Sequence, residues 1–153
     1  MNPRALPFIV MVCLLAAGCK QSHTADNTAD CDGVFYMSFD GFSSKTMCVG
    51  NLDAYAIGKD GLKLKVMKDE LAGKVIFELL LNSWTGPGDY KLGGNSNKCE
   101  LIVHGATDEF YKCTSGNILI TEATSNKLEA NFSIVIEGFY NKKVIHARGG
   151  VHL

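Results

Sequence analysis

The chain predicts an all-β domain, an antiparallel meander of about 8–10 strands folded into a β-sandwich or closed into a barrel. Three observations carry this. Leu128, Ala130, Phe132, Ile134 and Ile136 alternate with Glu129, Asn131, Ser133 and Val135 over nine positions, the period-two signature of a strand with one buried face. Leu62, Leu64 and Val66 alternate with Lys63 and Lys65 in the same way. Asp40-Gly41 and Asp60-Gly61 separate strand-like runs, and glycine there accepts the positive φ of a tight hairpin turn.

Taken in order, strands are expected on both sides of Asp40-Gly41, then at 53–59 and 62–66. Val75, Phe77, Leu79 and Leu81 form a further stripe, with Ile76 and Leu80 on its other face implying burial on both sides. The remaining strands fall at 90–92, 99–104, 109–115, 117–122, 128–136 and 144–153. Only Met67–Lys74 suggests a helix, closed by Gly73 after barely two turns. Many short strands joined by tight turns favour the sandwich or barrel architectures.

Ahead of this domain the chain has a different character. Met1–Leu6 carries Arg4 and no acid, Phe8–Leu15 is a compact apolar run, and Ala16-Ala17-Gly18-Cys19 closes it. The run falls short of the roughly 20 apolar residues that a membrane-spanning helix needs, so it reads as a signal peptide. Ala17-Gly18-Cys19 with Leu14-Leu15 ahead resembles the lipobox of bacterial lipoproteins, Ala16 standing where that family most often has leucine. The resemblance implies lipidation of Cys19 by fatty-acyl chains, cleavage before it, and residence in the cell envelope. Lys20, rather than an aspartate, follows the cysteine, which in such lipoproteins favours the outer membrane, on its periplasmic or surface face. The expected organisation is thus a signal peptide at 1–18, a lipidated cysteine and flexible tether at 19–30, and one β-domain at 31–153. The tether Lys20–Asp30 has no large apolar residue with which to order itself.

Composition excludes several classes of function. The net charge is −1, and loss of Arg4 with the signal takes it to −2, so there is no basic footprint for nucleic acid. Four cysteines remain after Cys13 and Cys19 are set aside, an even number suited to an oxidising compartment. A hairpin at Asp40-Gly41 places Cys48 opposite Gly33, with Cys31 close by. A hairpin centred on Ala106 places Cys99 opposite Cys113 and Leu101 opposite Tyr111. The expected bridges are therefore Cys31–Cys48 and Cys99–Cys113, each adding about 2–4 kcal/mol. No CxxC knuckle is present among them, so no zinc or other metal and no cofactor is expected.

No catalytic arrangement stands out either. There is no GxSxG elbow, and Asp69-Glu70 and Asp108-Glu109 fall in expected turns as plain solvated acids. His146, Arg148 and His152 share one strand face, either as a basic strip for an acidic partner or, more simply, as a solvated face. Asn82–Tyr90 is the most distinctive segment. It sets the only tryptophan at a strand end beside Gly86-Pro87-Gly88, so Trp84, Pro87 and Tyr90 are the candidate partner contacts. The plainer reading has Trp84 plugging one end of the barrel.

Gly88-Asp89-Tyr90, Gly116–Thr121, the run Leu128–Phe132 and the terminal Gly149-Gly150 resemble a family of small, uncharacterised envelope lipoproteins common in gram-negative bacteria. Glu129-Ala130-Asn131 stands where that family usually has glycine and threonine before the aromatic. The resemblance implies an antiparallel β-fold and no particular catalysis. The expected function is a non-enzymatic, membrane-anchored binding or assembly module with an envelope protein as partner. The alternatives are an inhibitor of a lysozyme-like enzyme and, behind it, a hydrolase.

Overall fold

The computed structural model describes residues 31–40, 46–71 and 73–153, so the expected signal, Cys19, the expected tether, Gly41 and the residues 42–45 lie outside the described residues. Ten strands follow in chain order: β1 (Phe35–Phe39), β2 (Thr46–Val49), β3 (Ala54–Gly58), β4 (Gly61–Glu70), β5 (Gly73–Leu81), β6 (Gly88–Leu92), β7 (Asn97–His104), β8 (Glu109–Thr124), β9 (Lys127–Gly138) and β10 (Val144–His152). They build one antiparallel sheet in the order β2-β1-β10-β9-β8-β7-β5-β4-β3, with β6 paired to β8. There is no helix among the described residues. The sheet curls into a half-barrel, as an all-β chain of alternating faces must if its apolar side is to be covered.

Three phenylalanines show the curl. Phe35 on β1, Phe132 on β9 and Phe77 on β5 come from strands well separated in the sheet, yet their ring centroids lie 5.3–5.9 Å apart. Rings at such distances stabilise one another beyond the area they bury, by about 0.5–1.5 kcal/mol per pair. Around them close Met37, Leu62, Val66, Ile118, Leu128 and Ile136, all essentially removed from solvent. The two ends of the sheet are brought together by side chains. Lys68 on β4 donates to the Thr46 carbonyl of β2 (3.3 Å), and Tyr55 on β3 donates to the Thr124 and Lys127 carbonyls of the β8–β9 hairpin (2.8 and 3.2 Å).

Met67–Lys74 is not helical. Met67–Glu70 continues β4 and pairs with Gly73–Ile76 of β5: the apolar alternation ends near Met67, but the backbone ladder runs on to Glu70, opposite Gly73 at φ 157°. Segments 109–115 and 117–122 are one strand, β8, carrying two bulges. Register shifts fall between Cys113 and Ser115 and between Ile120 and Glu122. The residues squeezed out, Thr114 and Thr121, each turn a hydroxyl onto a β9 carbonyl, Val135 at 3.2 Å and Glu129 at 3.3 Å. The first bulge moves the inward face from Tyr111 and Cys113 to Ile118 and Ile120.

Midway along β8 the sheet divides. β7 pairs with it only over Glu109–Lys112, and β6 takes over along Gly116–Ile120. Gly93, at φ 92°, lies so close to the Thr114 backbone at this split that a Cβ there would stand 2.4 Å from it. Asn97, buried, fastens the same region by accepting from Ser83 Oγ (2.8 Å) and donating to the Lys91 carbonyl (3.0 Å).

Candidate functional site

The four domain cysteines form two pairs. Cys31–Cys48 is a disulfide with Cα atoms 5.7 Å apart. Its hairpin turns later than the sequence suggests, so Cys48 stands opposite Tyr36 rather than Gly33. Cys99 and Cys113 differ from expectation: both are buried free thiols. The expected register is present, with Leu101 opposite Tyr111, but the β7–β8 ladder stops at Glu100–Lys112, one step before the cysteines. There the bulge at Thr114 turns β8 away, so the pair is left hydrogen-bonded, not bridged. That contact and burial raise the Cys99 thiol, whereas the hydrogen bond from Cys99 holds Cys113 below the ordinary thiol range against its own burial.

The Trp84 segment folds inward. Trp84 is half-buried, packs against the core and lies 5.5 Å from the Tyr90 ring. Tyr90 is a core residue whose hydroxyl donates to the Gly86 carbonyl and accepts from the Thr85 amide (3.2 Å), closing the Gly86-Pro87-Gly88 turn over it. Of the three candidate contacts, only Pro87 is exposed. The histidine strip on β10 does face outward, but acids face it in turn. His152 Nδ1 is 2.6 Å from Glu129 and its ring lies over Tyr36, while Arg148 is 3.8 Å from Asp40. This is a solvated, charge-balanced face.

A different aromatic group stands out on the surface. Phe139 and Tyr140, in the β9–β10 turn, are 58% and 73% exposed, and Phe110 of β8 joins them at 40%. Their rings meet edge to face, 5.0 Å between Phe139 and Tyr140 and 6.4 Å between Phe110 and Tyr140. The turn is firmly built. Gly138 donates to the Lys143 carbonyl (2.9 Å), Phe139 to the Phe110 carbonyl (2.7 Å), and the Asn141 side chain accepts from the Lys143 amide (2.9 Å). Lys142 takes φ 55°, the only positive value at a non-glycine among the described residues, and its ammonium lies 5.8 Å from the Phe139 ring. A cavity of about 200 Å³ opens between these aromatics and Asp108-Glu109. Sequence reasoning passed over this group because an aromatic pair in a turn has no periodicity; its signal is Phe139-Tyr140 lying directly between Gly138 and Asn141-Lys142-Lys143.

No set of three or more histidine, cysteine or acidic side chains able to hold a metal occurs among the described residues. No protein-family model, curated protein or solved structure matches this chain. The fold therefore defines its class: among the described residues, an all-antiparallel, curled ten-stranded sheet with one disulfide.

Proposed function

We propose that this chain is a lipid-anchored protein of the bacterial cell envelope that acts by binding another envelope protein. The observation that carries this reading is the exposed cluster of Phe110, Phe139 and Tyr140 held on a rigid turn. Exposed aromatics of this kind are the residues that dominate binding energy at protein interfaces. A turn already fixed by its own hydrogen bonds loses little further freedom on binding, so more of the contact energy is realised as affinity. The acids Asp108 and Glu109 beside the rings favour a basic side chain on the partner, seated against both. The Ala17-Gly18-Cys19 motif and the apolar run Phe8–Leu15 ahead of it support the anchor, through which the domain would be kept near such a partner.

Two measurements test the reading. In a gram-negative host, labelled fatty acid should enter the full chain, and Cys19→Ala should abolish both labelling and membrane retention. Separately, the detergent-solubilised protein should capture a defined envelope protein that F139A/Y140A no longer captures at unchanged thermal stability. Undiminished capture by that variant would overturn the contact surface. A chain that carries no lipid would overturn the anchor.

A further inference from the structure

Where β7 and β6 part along β8, Cys99 and Cys113 help line a cavity of about 400 Å³, within the size range of small-ligand sites. Lys98 and Lys112 stand on its wall against a single acid, Glu100, so the site is net positive. The Cys31–Cys48 bridge of the same chain is formed, whereas this second pair holds two thiols in hydrogen-bonding contact. The two are also unequal. Cys113 is the more accessible, at 8% against 2% for Cys99.

We propose that Cys99 and Cys113 form a thiol–disulfide exchange site for a small, carboxylate-bearing disulfide, with Cys113 as the attacking sulfur and Cys99 as the resolving one. The Cys113 thiolate attacks one sulfur of the incoming disulfide, the bond between the two incoming sulfurs breaks, and the departing thiolate takes up a proton. A mixed disulfide is left on Cys113. Cys99 then gives its proton to solvent and attacks the Cys113 sulfur, expelling the second half of the ligand as a thiolate, which is protonated in turn. The sum is one dithiol and one disulfide going to one intramolecular disulfide and two small thiols, so the protein pair is oxidised by two electrons and the ligand reduced by two. The asymmetry of the pair suits these roles: the lowered thiol of Cys113 supplies thiolate, and the raised thiol of Cys99 stays protonated until the mixed disulfide is in place. Lys98 and Lys112 supply the charge that would draw the ligand carboxylates.

The test treats the full chain with oxidised glutathione, blocks residual thiols with iodoacetamide, and maps every cysteine by peptide mass. The proposal expects a Cys99–Cys113 link that reduced glutathione reopens while Cys31–Cys48 persists. In Cys99→Ser the reaction should stop at a glutathione adduct on Cys113, and in Cys113→Ser no adduct should form at Cys99. Thiols that remain unmodified in the wild-type protein would overturn the site, independently of whether either variant folds. So would a Cys99–Cys113 link that reduced glutathione fails to reopen, since that is a structural bridge. An adduct arising first on Cys99 would overturn the assignment of roles.

Discussion

At the scale of single residues, two aromatic groups that look alike in the sequence have opposite duties. Trp84 is half-buried against the core, so Trp84→Ala should destabilise the domain by about 2 kcal/mol, below the cost of emptying a fully enclosed site. Tyr140→Ala, at a side chain 73% exposed, should change stability by less than about 0.5 kcal/mol. Urea denaturation of both variants checks the pair, and the reverse ranking would show that the two positions have been misassigned. Tyr111 adds a pH dependence. Burial first, and then the neighbouring Glu109 carboxylate that its hydroxyl bonds, raise its pKa above the ordinary tyrosine value. A raised folded-state value means stability fully present below the unfolded value, near pH 10, and lost as pH climbs through the folded one. Stability measured against pH should therefore fall less steeply on the alkaline side in Tyr111→Phe than in the wild type; parallel curves would remove Tyr111 from that loss.

At the scale of elements, the bulge at Thr114 governs the longest strand. Side chains alternate along a strand, so one extra residue exchanges its faces. Before the bulge Tyr111 and Cys113 point inward, and after it Ile118 and Ile120 do. Deleting Thr114 removes the extra residue and leaves Cys113 and Ser115 opposite the consecutive partners Ile136 and Val135, with Ile118 and Ile120 still inward, so the variant should fold. Thr114→Ala keeps the count and loses only the hydroxyl contact to Val135, so it should cost about 0.5–1.5 kcal/mol. Circular dichroism melts of the two variants separate register from hydrogen bonding. A deletion variant that fails to fold would show that the fold requires the bend made at the bulge, beyond the register it keeps. The same bulge explains what sequence patterning could and could not reveal. β9 was legible because Leu128–Ile136 keeps one alternation throughout. β8 read as two strands because its alternation changes phase at Thr114. The end of β4 read as helix because Asp69-Glu70 interrupt the alternation, although the backbone goes on pairing to Gly73. The disulfide partners of Cys31 and Cys48 could be read from their proximity, but the thiol state of Cys99 and Cys113 depends on where a ladder ends. The aromatic turn depends on three rings from two elements meeting, which no local pattern records.

At the scale of the whole molecule, the open edges of the sheet decide where it gives way. The end strands β2 and β3 are the two outermost in the order, with four and five residues. Short edges offer little ladder to a foreign strand, but they also hold few hydrogen bonds of their own. β3 is tied across to the β8–β9 hairpin through Tyr55, while β2 is tied to β4 by Lys68 and to the chain ahead of β1 by Cys31–Cys48. The disulfide closes a loop with a sequence separation of 17, and a bridge of that span typically stabilises by about 3 kcal/mol. Its loss in C31S/C48S should therefore lower global stability by about 2–4 kcal/mol, and should do so unevenly. β9 pairs along nearly its whole length with both β8 and β10, so its amides sit far from either edge. Hydrogen exchange of the variant should speed up first in β1 and β2, with β8 and β9 protected up to the global unfolding limit. Equal acceleration across all strands would mean that the bridge acts only on the unfolded chain and that the β1–β2 edge opens no earlier than the core. Preferential exchange at β1 and β2 would instead locate the first opening of the half-barrel at the seam where Lys68 meets the Thr46 carbonyl.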